Sequence, residues 1–202
     1  MVSRGNENRM RASTTSVVLL LCLMIPGRAS SQDTTEKRLA ELLASEKSWP
    51  GAVAMIQRSE RTLIPLLLLW TKQPPPGFDL EALTPGLIEV FGILKVRAAI
   101  PFLIDNMFYQ RIRIGPIWNR PPAAIIARVA SIRALISIGP DAIPAIEEAY
   151  YGSLPGETRL GIVFAVSRMN DPRGKALLLN ARATAQETIR FAGDGLRYPD
   201  QE

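Results

Sequence analysis

The chain has 202 residues, enough for one domain or two small ones, with 47% apolar and 21% charged residues, so a packed core is feasible and disorder of the whole chain is excluded. The formal charge of +5 is concentrated at one end: residues 1–31 hold four arginines against one glutamate, leaving only +2 for residues 32–202. There is no histidine, and the one cysteine, Cys22, lies near the start, which excludes intramolecular disulfides and a Ser-His-Asp triad and, beyond residue 31, thiol nucleophiles and zinc sites built from His or Cys.

Residues 1–31 read as a secretory signal peptide. Arg4, Arg9 and Arg11 form a positive start, Val17 to Ile25 is an unbroken apolar run, and Pro26-Gly27 breaks it. Ala29-Ser30-Ser31 offers small residues for cleavage, either after Ser31 or after Ala29, and Met10 is an alternative start to Met1. A membrane span needs about 20 apolar residues, so this run is too short for an anchor. The expectation is an extracytoplasmic protein, secreted or periplasmic, with no stable transmembrane span in the mature chain.

Gln32 to Ser48 opens on a helix-start signal at Asp33-Thr34-Thr35-Glu36, with Leu39, Leu42 and Leu43 as its apolar stripe. Pro50-Gly51 is expected to end that helix. A short apolar segment, Ala52 to Gln57, follows, and Ile64-Pro65 through Trp70 reads as a buried helix. Gln73-Pro74-Pro75-Pro76-Gly77 is a stiff turn or linker. From Phe78-Asp79, Leu80, Leu83, Leu87, Val90, Phe91 and Leu94 recur three or four apart, which places them on one helix face.

Ala98 to Tyr109 is the expected partner of that helix. Pro121-Pro122 then starts a single helix with the stripe Ile125, Val129, Ile132 and Ile136. Gly139-Pro140 ends it, with Asp141 as the N-cap of Ala142 to Tyr151. Thr158 to Met169 and Arg173 to Ile189 form a last pair, joined by Asn170-Asp171-Pro172. Residues 193–202 read as a flexible C-terminal tail. No segment sustains strand alternation, so the fold class is all-α.

One phrase recurs through this layout. Leu63-Ile64-Pro65, Ala99-Ile100-Pro101 and Ala142-Ile143-Pro144 are separated by 36 and then 43 residues, and Lys175-Ala176-Leu177-Leu178 is a degraded fourth copy. A period of this size points to stacked helical pairs. The stretch Ile138-Gly139-Pro140-Asp141-Ala142-Ile143-Pro144 closely resembles the turn inside HEAT-like (armadillo-type) repeats. Lys95 to Leu103 and Met169 to Leu177 match it more loosely, and Arg61 to Leu66 keeps only the Ile-Pro step. The resemblance covers about residues 50–190 and is strongest around 122–150. It implies a short α-solenoid of about four helical hairpins over residues 32–192, presenting helix faces to a macromolecule. It implies no shared chemistry.

The second interval is seven residues longer than the first, and the extra length lies between Asn106 and Pro122. Insertions in solenoids map to loops, frequently on the binding side. Tyr109, Arg111, Arg113, Trp118 and Arg120 in this stretch are the expected partner-binding residues, since aromatics and arginine dominate interface energetics. Its other reading is a long connection tucked over the adjacent helices.

From Lys95 to Arg133 there are seven basic residues and one acidic one, Asp105. This stripe reads as a solvated face or as a contact for an anionic glycan or lipid headgroup. Export and the near-neutral mature charge disfavour nucleic acid. Glu147-Glu148 are neighbours on a helix and point about 100° apart, poorly placed for paired-carboxylate catalysis. Trp49 and Trp70 read as packing residues, and Tyr150-Tyr151 as a cap on the core. No cofactor motif, metal-ligand set or catalytic group is read from the chain. The expected function is a non-catalytic protein-interaction or scaffolding module with a protein partner of unknown identity. The rival readings are a carboxylate-dependent polysaccharide-active enzyme and a basic-face binder of an anionic polymer.

Overall fold

The computed structural model of the chain describes residues 29–109 and 121–195. These residues are helical and contain no strand, as the apolar periodicity requires. The helices are α1 (Ala29–Ala44), α2 (Trp49–Gln57), α3 (Glu60–Trp70), α4 (Leu80–Ile93), α5 (Ile100–Asp105), α6 (Pro122–Arg128), α7 (Ala130–Ile138), α8 (Ile143–Tyr151), α9 (Gly156–Met169) and α10 (Pro172–Gly195). No single helix among the described residues is long and apolar enough to cross a membrane.

The core runs from Leu39 and Leu43 of α1 to Leu177 of α10 as one connected apolar cluster. Helix α4 lies at its centre and packs against α1, α2 and α7. Helix α7 in turn packs on α9, while α5 packs on α8 and α8 on α10. Both sides of α4 approach their neighbours at backbone distance. A Cβ on Gly86 would lie 2.3 Å from the Leu43 carbonyl oxygen of α1, and one on Gly92 would lie 2.7 Å from Ala134 Cβ of α7. The buried residues of α4 include Thr84, Gly86, Ile88 and Gly92 besides the expected Leu83, Leu87, Val90 and Phe91. Burial thus wraps around the helix and is not confined to one face.

Asp79 caps α4, accepting a hydrogen bond from the Ala82 amide at 2.5 Å, which satisfies one of the free amides of the first turn. At the far end of the chain Asp171 plays the same part for α10, accepting from the Arg173 amide at 2.9 Å.

Several expected boundaries move. Pro50 does not end a helix; it lies in the first turn of α2, and the break before it is made by the 3-10 turn Glu46–Ser48. Pro65 lies inside α3, not at its start, so its Ile-Pro step is not equivalent to the other two. Ile100-Pro101 and Ile143-Pro144 do open helices, each after a 3-10 turn, Arg97–Ala99 and Gly139–Ala142. Helix α3 is not fully buried: Leu63, Leu67 and Trp70 face the core, while Leu69 is 54% exposed. The Pro-rich turn is tied in rather than free, with Pro75 buried.

Helix α5 stops at Asp105, four residues short of Tyr109, because the Asn106 side chain donates to the Phe102 carbonyl at 2.9 Å and takes over the end of the helix. The single helix expected from Pro122 is broken at Val129 in extended geometry (φ −100°, ψ 94°), and Pro122–Arg128 meets the stretch Ala130–Tyr151 at 98°. The Arg133 side chain explains how the break is tolerated. It donates to the carbonyls of Ala127 at 3.1 Å and Ile126 at 3.4 Å, at the end of α6. Val129 and Ile125 remain buried on either side of the bend.

Candidate functional site

Of the residues expected to bind a partner, Tyr109 is described, and Arg111, Arg113, Trp118 and Arg120 lie outside the described residues. Tyr109 is half-buried against the core, and its hydroxyl donates to the Glu81 carbonyl at 2.5 Å. Pro85, four residues on, has no N–H to offer that carbonyl. Tyr109 therefore holds the segment after α5 against the first turn of α4. The two residues before it anchor the same segment. Met107 is buried, and Met107 and Phe108 fill the space over Gly161 of α9.

The basic stripe is broken by carboxylates from other helices. Arg97 pairs with Asp141, and Arg133 with Glu89 at 2.5 Å. Asp141 is thus not the N-cap of α8, which has no side-chain cap; it reaches back to the 3-10 turn before α5. Each of these pairs joins residues 44 apart in sequence, close to the 43-residue interval between Pro101 and Pro144. Asp171 and Arg173 form a further pair, and the Arg173 guanidinium and amide, both bonded to Asp171, hold its carboxyl below the usual carboxylate range.

Glu147 and Glu148 do not converge with other acids: among the described residues no cluster of three or more His, Cys, Asp or Glu could hold a metal ion. Trp70 is buried as expected. Trp49 is half-buried and donates from Nε1 to the Leu43 carbonyl at 3.0 Å, closing the end of α1. Tyr151 departs from its expected core position. It is 55% exposed, stacks edge-on against Tyr150 with ring centroids 5.4 Å apart, and bonds through its hydroxyl to Asn180 at 2.9 Å.

The surface that sequence reasoning misses is α2. Its nine residues, Trp49–Gln57, carry no charged side chain, yet only Ala52 and Ile56 are buried. The rest, Gln57 apart, form an apolar ridge with a groove on each side. One groove, of about 510 Å³, lies between α2, α4 and α7 and is lined by Trp49, Pro50, Val53, Ile93 and the Glu89–Arg133 pair. A smaller hollow of about 140 Å³ continues it along α4 and α7 past Gly92 to Ser137. Ile93 is 48% exposed at the junction of the two. The other groove lies between α1 and α2. In the sequence its one mark is an uncharged run bracketed by Lys47 and Arg58, a mark that buried segments share.

No protein-family model matches the chain, and no curated protein or solved structure matches it significantly.

Proposed function

We propose that this chain is a non-catalytic interaction module: a short α-solenoid of about four HEAT-like hairpins, exported from the cytoplasm, that binds another protein through exposed helix faces. The observation that carries the reading is the register shared by the α1–α4 and α4–α7 contacts and by the turns before α5 and α8, while the α7–α9 step is shorter. Glu89 meets Arg133 and Arg97 meets Asp141 across 44 residues, and Leu43 meets Gly86 across 43. A repeating offset of this kind is what stacked hairpins produce, since each unit contacts its neighbours in the same way. The packing order α1, α4, α7, α9 along one row and α5, α8, α10 along the other supports the same reading.

The binding surface in this reading is the groove of α2, α4 and α7. Ile93 and Val53 supply apolar anchors, Trp49 supplies an aromatic one, and the Glu89–Arg133 pair supplies a polar rim. The connection of residues 106–122 supplies a second contact.

Affinity capture from the envelope fraction of the native host tests the proposal. The parent chain is run beside Val53→Asp/Ile93→Asp and beside an alanine variant of Arg111, Arg113 and Trp118. A protein held by the parent and lost by the first variant supports the groove. Loss with the second variant moves the surface to the connection. Capture of nothing by the parent overturns the reading. N-terminal sequencing of the mature protein, expected to begin at Gln32 or Ser30, tests export.

A further inference from the structure

We infer that the groove between α1 and α2 binds a single-chain anionic amphiphile, a carboxylate head on an alkyl tail. This groove is distinct from the proposed protein-binding one. It lies on the opposite flank of α2, and the two share only Ala54. Its volume, 590 Å³, falls within the roughly 300–1,000 Å³ of small-molecule sites.

The lining is polarised along its length. Thr34, Arg38 and Leu42 are spaced four apart and so lie on one face of α1, spanning about 12 Å at 1.5 Å per residue. At the Leu42 end the walls are apolar: Gly51 lies against Leu42, with Ala54 and Met55 beyond. At the other end are the hydroxyls of Thr34 and Thr35 and the guanidinium of Arg58, which follows the last residue of α2. Side chains on a helix lean towards its N-terminus, so Arg38 leans to this same end.

Neither Arg38 nor Arg58 forms an ion pair among the described residues, in contrast to Arg97, Arg133 and Arg173. Two solvent-exposed guanidiniums with no ion-pair partner among the described residues, at one end of an open groove whose other end is apolar, match a ligand with one anionic head and one apolar tail. A polyanion would leave the apolar half unused, and a neutral lipid would leave both arginines unmatched. The absence of a side chain at Gly51 keeps the tail end open. A Cβ there would meet only Leu42 Cδ2, at 3.6 Å, so a larger residue can be accommodated by filling the channel without forcing the helices apart.

The test is calorimetric titration of the protein with sodium dodecanoate below its micelle concentration, beside dodecyl maltoside (the same tail, uncharged head) and acetate (the head alone). Saturable binding of one dodecanoate per chain is expected, with neither comparator bound. Arg38→Gln and Arg58→Gln should each weaken it about tenfold, the loss of one charge-assisted contact. Gly51→Leu should abolish it while circular dichroism shows unchanged helix content. Equal binding of the maltoside, binding untouched by Gly51→Leu, or no dodecanoate binding would each overturn the inference. So would an acidic apolar peptide that binds this groove when dodecanoate does not.

Discussion

The Tyr109 hydroxyl donates to the carbonyl oxygen of Glu81, the acceptor that Pro85 leaves without its helical amide. A proline in the sixth position of α4 would ordinarily leave that carbonyl to water. Here a side chain 28 residues away takes the place of the missing N–H. Tyr109→Phe should lower stability by about 1 kcal/mol, the net value of one hydrogen bond. In a Pro85→Ala background the loss should shrink, because the helix then supplies its own donor. Urea unfolding of the four proteins measures the coupling; full additivity would refute it.

The Glu89–Arg133 pair links α4 to α7 while the same guanidinium closes the end of α6. It is part-exposed, so solvent screening limits the ion pair itself. A double-mutant cycle with Glu89→Gln and Arg133→Met should return a coupling of about 1 kcal/mol or less. Arg133→Met alone should cost more than Glu89→Gln, since it also frees the carbonyls of Ile126 and Ala127.

Gly86→Ala should be among the most damaging single-methyl substitutions in the chain. The added Cβ would sit 2.3 Å from the Leu43 carbonyl oxygen, and backbone cannot step aside as a side chain can. Overpacking of this kind costs about 1–3 kcal/mol, against a helix-propensity gain of up to about 1 kcal/mol. Thermal unfolding should show a net fall in Tm; a rise would mean that α1 slides freely over α4.

Asp79→Ala should destabilise the protein by about 1 kcal/mol through loss of the α4 cap, and Asp79→Asn should restore most of it. Chemical denaturation separates the two.

Acid should weaken the Asp171–Arg173 turn. The Asp171 carboxyl is depressed in the folded chain, chiefly by the hydrogen bond from the Arg173 side chain. Its contribution is therefore fully present above its unfolded value, about pH 4, and is lost as the pH falls through the lower folded value. Parent and Asp171→Asn should converge in stability towards pH 2, in paired melts from pH 2 to 7.

Helix positions were legible where one local cause dominates. Leu83, Leu87, Val90 and Phe91 are buried as their spacing requires, and Asp79 caps the helix that follows it. Ile100-Pro101 and Ile143-Pro144 open helices because a 3-10 turn precedes each. The same dipeptide at Ile64-Pro65 lies mid-helix, since Ser59 and Glu60 had already started α3 and proline removes only one bond there. The break at Val129 has no local signature. It depends on Arg133, and Arg133 depends on Glu89, forty-four residues back. Asp141 likewise looks like a cap in sequence and becomes an inter-helix partner in space. For the site, the aromatic and basic cluster stands out by composition, yet Tyr109 is occupied in supporting α4. The uncharged α2 does not stand out, because neutrality is informative only once exposure is known.

Helix α4 is enclosed by α1 on its Gly86 side and by α7 on its Gly92 side, with side chains too small to hold either neighbour away. Solvent reaches such a backbone only when the packed helices part, whereas α10, at the end of the packing order, can fray alone. In deuterated water the amides around Phe91 should accordingly keep their protons longest, and exchange should advance along the molecule from its C-terminal end inward, as a seam opens from its last stitch.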